Sequence, residues 1–234
     1  MDFYSTETQA ILGPVRMLPQ KGSVSGGSKR PLNSWAILRE GRSILLDAPV
    51  SWAMEGIAAL AAAGHPPAAH VLSHRDIAGS GDAFDAFADA YDAPFLMHPE
   101  DQAEDAPRKL SVPLNDPMAS DVLRDAGIET IHIPGHSPGS IMLYSAEAGG
   151  ILLTGDAAVG PGPEQSDRTP RLERPKGADA DRRFLRIWHD VAARPLAAVL
   201  PLHGEGYRRA DHPERFDAIV ANIWEGEPMD PSRK

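Results

Sequence analysis

Ile131-His132-Ile133-Pro134-Gly135-His136-Ser137-Pro138-Gly139-Ser140 is the stretch best equipped for chemistry. A β-rich run ends in Pro-Gly, the chain turns sharply, and the next residue is a histidine. The His136 ring therefore stands at a strand end, free to face a shared site. Three other stretches have the same form, an apolar run ending in a polar residue able to bind metal. Val71-Leu72-Ser73 ends at His74-Arg75-Asp76, Ile151-Leu152-Leu153-Thr154-Gly155 at Asp156, and Ala198-Val199-Leu200-Pro201-Leu202 at His203-Gly204. Imidazoles and carboxylates delivered from several strand ends to one sheet edge are what a zinc or iron site requires. Taken alone, the Pro-Gly-His turn fits equally well a hairpin with a surface histidine.

The elements that must position these residues follow from the apolar periods. Residues 9–18 read as a first strand with a Gly-Pro irregularity, and 22–31 as a flexible loop without apolar periodicity. Residues 33–40 and 43–47 form a hairpin through Glu40-Gly41-Arg42, with Asp47 as a structural carboxylate bracing neighbouring loops. Residues 52–63 place Met54, Ile57 and Leu60 at helical spacing, ended by Gly64. A strand over 69–72 leads to a helix carrying Phe84 and Phe87, capped by Ser73 or Asp76, whose positive end points toward His74. Residues 94–97 are a short strand and 101–106 an acidic, solvated segment, while 110–123 is too mixed to assign. Strands follow at 129–133, 140–145 and 150–154. The polar stretch 160–177 directly after Asp156 holds Arg168, Arg171, Arg174 and Lys176, and reads as a lid or substrate loop or as a solvated insertion. A helix over 179–193 buries Phe184, Leu185, Trp188 and Val191. A strand over 197–200, a helix over 213–224 and a fraying tail from Glu225 complete the chain.

The bulk composition narrows the function. With 234 residues, 42% hydrophobic and 24% charged, the chain can bury a substantial core, and residues 1–234 are expected to form a single domain. The formal net charge of −10, with no offsetting basic stripe, argues against nucleic acid as a partner. There are no cysteines, so neither disulfides nor thiolate ligands are available. The acidic start Met1-Asp2-Phe3-Tyr4-Ser5-Thr6-Glu7 is no secretory signal, and no run approaches the ~20 apolar residues of a membrane helix. The expectation is a soluble, cytoplasmic protein with a small-molecule substrate and no membrane partner. Nothing in the sequence indicates a homo-oligomer.

In their order along the chain, the four metal-capable stretches resemble the metallo-β-lactamase superfamily of metallohydrolases. That family carries Ser/Thr-His-x-His-x-Asp-His after one strand and Pro-Gly-His-(Ser/Thr)-Pro-Gly after another. A Gly-Asp follows a Leu-rich strand, and a Gly-His or similar pair lies near the C-terminus. Asn33-Ser34-Trp35-Ala36-Ile37-Leu38 and Ser43-Ile44-Leu45-Leu46-Asp47-Ala48 also look like its opening strand pair and structural Asp. The resemblance runs from about Asn33 to His203 and implies an α/β fold, a four-layer αβ/βα sandwich of two mixed sheets flanked by helices.

The resemblance also implies a ligand set. His74 stands for the first ligand and Asp76 replaces the second histidine, while Ala78 and Gly79 fall where the family has its Asp and last His. His136, Asp156 and His203 are retained. A methyl group and a hydrogen cannot ligate, so no standard dinuclear centre is expected. The expected metal residues are His74, His136, Asp156 and His203, with Asp76 and Asp156 as catalytic carboxylates and Asp76 as ligand or water-orienting group. Two histidines and a carboxylate with open positions suit one catalytic zinc ion and equally mononuclear iron(II). His132 is expected to pack or support the site, His70 to miss it, and His65, His98, His189 and His212 to be solvated or structural.

Three functions follow. The first is a single-metal hydrolase cleaving an ester, thioester or amide-type bond. The second is a mononuclear iron oxidoreductase of the persulfide-dioxygenase type, which the resemblance suggests through the same trio. The third is a non-catalytic binding protein that has kept the fold.

Overall fold

Apolar runs such as Ile151-Leu152-Leu153 are strands buried on both faces, which explains why they do not alternate with polar residues. A computed structural model of the chain describes residues 2–3, 5–20, 31–162, 170–211, 213, 216–217 and 220. Among these, one sheet runs in sequence order through β1 (Gln9–Leu12), β2 (Val15–Met17), β3 (Trp35–Arg39), β4 (Arg42–Leu46), β5 (Pro67–Val71), β6 (Phe95–Leu96) and β7 (Leu114–Asn115). Its first three pairings are antiparallel and its last three parallel. The other large sheet contains β8 (Ile128–His132), β9 (Ile141–Ser145) and β10 (Ile151–Gly155). A small hairpin of β11 (Ala158–Val159) and β12 (Arg171–Leu172) follows, and then β13 (Ala198–Pro201) and β14 (Tyr207–Arg208). That sheet has the order β14-β13-β10-β9-β8, with β10 and β13 parallel.

The two-residue strand period sorts side chains into three cores. Trp35 and Ile37, Ile44 and Leu46, Ile141 and Leu143, Ile151 and Leu153, and Ala198 and Leu200 meet between the sheets. The intervening Ala36 and Leu45 face outward with Ile57, Phe84 and Phe87. Met142, Tyr144, Leu152 and Val199 face the other way, with Phe184, Trp188 and Val191. The helices are α1 (Met54–Ala62), α2 (Asp76–Ser80), α3 (Phe84–Ala90), α4 (Pro99–Gln102), α5 (Asp105–Arg108), α6 (Asp121–Asp125) and α7 (Ala178–Ala192). With α1 and α3 outside one sheet and α7 outside the other, the layers run helix, sheet, sheet, helix, the expected αβ/βα sandwich.

Local expectations needed correction in several places. The first strand is two, because Gly13 at φ +51° and Pro14 turn the chain back and pair Gln9 with Met17. The helix after His74 is also two. The linker between α2 and α3 is tied to the segment before α1, where Asp82 and Ala83 amides donate to the Pro49 carbonyl and Ser51 donates to the Asp82 carboxylate. Neither Ser73 nor Asp76 caps α2, whose N-cap is Arg75. Part of the 160–177 stretch is structured: Leu172 is buried on α7, β12 pairs with β11, and Arg174 is ion-paired to Asp181. Arg168, the 22–30 part of the early loop, His212 and most of the 213–224 helix with its tail lie outside the described residues. No helix among the described residues is long and apolar enough to cross a membrane.

Candidate metal centre

The site residues sit past the carboxyl ends of β5, β8, β10 and β13, where the parallel strands of both sheets end at one edge. One ligand atom each from His74, His136 and Asp156 lies within 4.8 Å of the others. His74 Nε2 is 3.6 Å and His136 Nε2 4.0 Å from Asp156 Oδ2. The two rings meet edge to face with centroids 4.6 Å apart. His203 and Asp76 each hold one member of this trio. His203 Nδ1 donates to both Asp156 oxygens at 2.8 and 3.0 Å, and His136 Nε2 donates to Asp76 Oδ2 at 3.1 Å.

Each loop is anchored from outside the trio. His74 Nδ1 is hydrogen-bonded to Ser73 Oγ at 2.9 Å, which leaves Nε2 for the site. The Ser73 amide in turn donates to Asp47 Oδ1 at 2.7 Å, so Asp47 braces this loop as expected of a structural carboxylate. Gly155 adopts φ +52°, and a Cβ there would come within 2.5 Å of the Ser73 side chain. Only glycine brings Asp156 this close to His74. Asn33 Nδ2 donates to the carbonyls of Pro201 at 2.9 Å and Gly204 at 2.7 Å, bracketing the His203 turn.

Asp101 overturns the expectation of a solvated acidic segment. It is fully buried in α4. Its Oδ2 accepts from the Arg75 amide at 2.9 Å and from Ser137 Oγ at 2.6 Å, and its Oδ1 accepts from the Gly139 amide at 2.8 Å. One carboxylate thus clamps the residue after His74 to the turn after His136. A Cβ on Gly139 would strike Asp101 Cγ at 2.6 Å, which accounts for glycine in that turn. Neither Asp101 nor Asn33 has a sequence signal beyond its type, because both act on backbone groups remote in the chain. His70 misses the site: it is buried against Phe87 and Phe95, and its Nε2 accepts from the Ala48 amide at 3.0 Å.

The electrostatics divide the histidines. Burial pushes His74 down to about 4, so its ring is neutral and carries a lone pair. Burial also opposes protonation of His136 and His203, but hydrogen bonds to Asp76 and Asp156 outweigh it and both shift upward. Burial would raise Asp156, yet the His203 hydrogen bond and three nearby imidazoles hold it below the usual carboxylate range. The His136 hydrogen bond holds Asp76 down at about 2. Asp47, buried beside Asp156, is pushed up to about 7.

Residues 28–204, most of the chain, match the family model of the metallo-beta-lactamase superfamily. The chain belongs to this superfamily. Among solved structures, it is similar to the DIM-1 metallo-beta-lactamase exposed to ceftazidime, at 14% identity and a TM-score of 0.65, covering 94% of this chain and 96% of that one. It is similar to a metallo-beta-lactamase from Erythrobacter litoralis at 19% identity and a TM-score of 0.62, covering 93% and 95%. A third is TTHA1623 in a di-iron-bound form, at 22% identity and a TM-score of 0.54, covering 81% and 94%. These likenesses establish the fold. No curated protein matches the chain.

As a member of the superfamily, the chain departs from the motif pattern at Ala78 and Gly79 in α2, where the pattern has Asp and His. The remaining donors fit one ion. Ligands about 2.1 Å from a tetrahedral zinc lie about 3.4 Å apart. The separations of 3.6 and 4.0 Å come close to that spacing. Two imidazole nitrogens and one carboxylate are a donor set that zinc and iron(II) both accept.

Proposed function

We propose that this protein is a hydrolase that uses one metal ion, zinc in the first instance, to cleave an ester, thioester or amide-type bond of a small-molecule substrate. The observation that carries this reading is the convergence of His74, His136 and Asp156 at one sheet edge, with Ala78 and Gly79 at the positions that would build a second site. The trio would hold the ion, with His203 and Asp76 as the adjoining candidates for further ligands. When bound, a zinc ion acidifies water toward a pKa of about 7 and polarises a scissile carbonyl.

The chain's own residues supply the rest. His74 is neutral and oriented by Ser73, so its Nε2 needs no deprotonation to bind. Asp156 balances positive charge in a buried place, and His203 fixes its carboxylate through both oxygens. Asp76 is ionised, its side chain is 61% exposed, and it adjoins His136. It is therefore placed to accept a hydrogen bond from a water entering the site and to orient it. A chain of net charge −10 favours neutral or weakly charged substrates over polyanions.

Elemental analysis of protein purified without chelator, beside His136→Ala, tests this reading together with an ester, thioester and lactone panel. The expected result is about one zinc per chain and hydrolysis, both lost in the variant. Protein without metal and without hydrolysis overturns it and leaves the binding protein. A second reading is a mononuclear iron(II) oxidoreductase, favoured by the same donor trio and by the di-iron-bound form of TTHA1623. Bound iron with metal-dependent oxygen uptake selects it.

A further inference from the structure

Two histidines outside the trio face one another across the rim between the sheets. His98 follows the end of β6 in one sheet, and His132 is the last residue of β8 in the other. Their half-buried rings stack face to face, with centroids 3.9 Å apart and planes at 17°. The stack joins the same two segments that Asp101 joins. His98 Nδ1 accepts from the Glu100 amide at 3.3 Å as the N-cap of α4, the helix that carries Asp101. His132 Nε2 donates to the Pro138 carbonyl at 2.7 Å, in the turn after His136.

These bonds assign the protons. A ring nitrogen that accepts from an amide carries a lone pair, so His98 is neutral with its proton on Nε2. A ring nitrogen that donates to a carbonyl keeps its proton whether the ring is neutral or charged. Protonation therefore acts differently on the two rings. His132 takes up a second proton at Nδ1 and retains its bond to Pro138. His98 can take one only at Nδ1, the atom that caps α4. Once both rings are charged, two like charges stand face to face and repel.

We propose that the His98–His132 stack is an acid-sensitive latch: protonation of both rings parts the stack and removes the cap of α4, and the Asp101 clamp on the loops of His74 and His136 loosens with it. The latch reaches the site through the backbone, because Asp101 holds the amides of Arg75 and Gly139. It acts whether or not the trio holds an ion. Burial, followed by the neighbouring His132, holds His98 below its usual value, against the opposing pull of Glu100, Asp116 beside β7, and Asp101. Glu100 also faces His132, with Oε2 4.0 Å from Nε2. A histidine held below its unfolded value contributes in full above about 6.5, and the contribution is lost as pH falls through the folded value.

Two measurements on the full chain test it. The first is hydrogen exchange at the Arg75 and Gly139 amides, at pH 7 and pH 5, corrected for the intrinsic rate. His98→Asn keeps a capping acceptor for the Glu100 amide but takes no charge. On acidification the wild type should lose about fivefold more protection at both amides than His98→Asn does. The other histidines titrate in both proteins, so they cancel from this comparison. A difference under about twofold at both amides overturns the proposal. The second is the titration of the His98 ring by proton NMR in wild type and in His132→Gln, which keeps a donor for the Pro138 carbonyl. The midpoint of His98 should lie below about 6.5 in wild type and rise by about 0.5 or more in the variant. A midpoint that does not move shows the rings to be uncoupled and likewise overturns it. Circular dichroism checks that both variants are folded.

Discussion

Replacing Asp101 with Ala is the sharpest probe of how this chain holds its site. The buried carboxylate accepts three hydrogen bonds, two of them from backbone amides at Arg75 and Gly139. Ser137 Oγ keeps a second partner, Ser140 Oγ at 2.8 Å, so truncation orphans only the two amides. A hydrogen bond to a charged group contributes roughly 1.5–3 kcal/mol, and Arg75 is only part-buried, so water recovers some of its loss. The expected loss of stability is therefore about 3–4 kcal/mol. The same change unties the loop of His74 from the loop of His136, and contacts of that kind are worth about 10- to 100-fold in metal affinity. Urea denaturation of zinc-free protein measures the first quantity and chelator competition the second. A stability change under about 1 kcal/mol refutes the burial argument. A normal stability loss with zinc affinity within about twofold of wild type refutes the clamp and leaves Asp101 a structural residue.

Three further outcomes follow from the same geometry. Ala78→Asp with Gly79→His restores the two donor types the family pattern has there. A Cβ at Gly79 meets only Ala106, at 3.8 Å, while Ala78 is buried beside the apolar core, so the double variant should lose some stability and, where it folds, take up one more zinc per chain by elemental analysis than wild type does. Apparent zinc affinity should fall as pH drops from 8 to 6, because His136 and His203 are shifted above their usual value and each proton displaced costs about tenfold per pH unit. Affinity that is flat across this range contradicts the assignment. His70 is held at about 3 by burial against an unfolded value of 6.5, so its contribution is intact above 6.5 and lost as pH falls toward 3. Between pH 6.5 and 5 this amounts to about 2 kcal/mol, and His70→Gln, which cannot titrate, should flatten the slope of zinc-free stability measured by urea.

The fold was legible where the periods were clean. Leu152 between Ile151 and Leu153, or Ala36 between Trp35 and Ile37, reads as a strand whichever face is inward, and both faces proved buried. The four metal-capable loops were legible for the same reason: each follows a strong strand, so its place at the sheet edge needs only the strand to be right. What failed were short elements whose limits depend on tertiary ties. A helix period spanned α2 and α3 without sign of the break, because the break is fixed by Pro49 and Ser51, which lie upstream. The 101–106 segment looked solvated because four of its residues are acidic or polar, and composition cannot tell which carboxylate turns inward.

Asp101 exposes the deeper limit. A residue is legible as functional when its own neighbours in sequence announce it, as Pro-Gly-His does for His136. Asp101 acts on amides 26 and 38 residues away, a consequence of topology. The erosion at Ala78 and Gly79 was read from motif spacing, but its meaning depends on geometry. The histidines and carboxylate that remain stay mutually close, and Asp76 and His203 are each hydrogen-bonded into them. Three separate anchors, Asp47, Asn33 and Asp101, hold the loops of His74, His203 and His136. These buried polar groups converge on residues that flank His74, His136 and His203, Ser73 and Arg75, Ser137 and Gly139, and Pro201 and Gly204, and so fix the loops that the proposed single-ion centre requires.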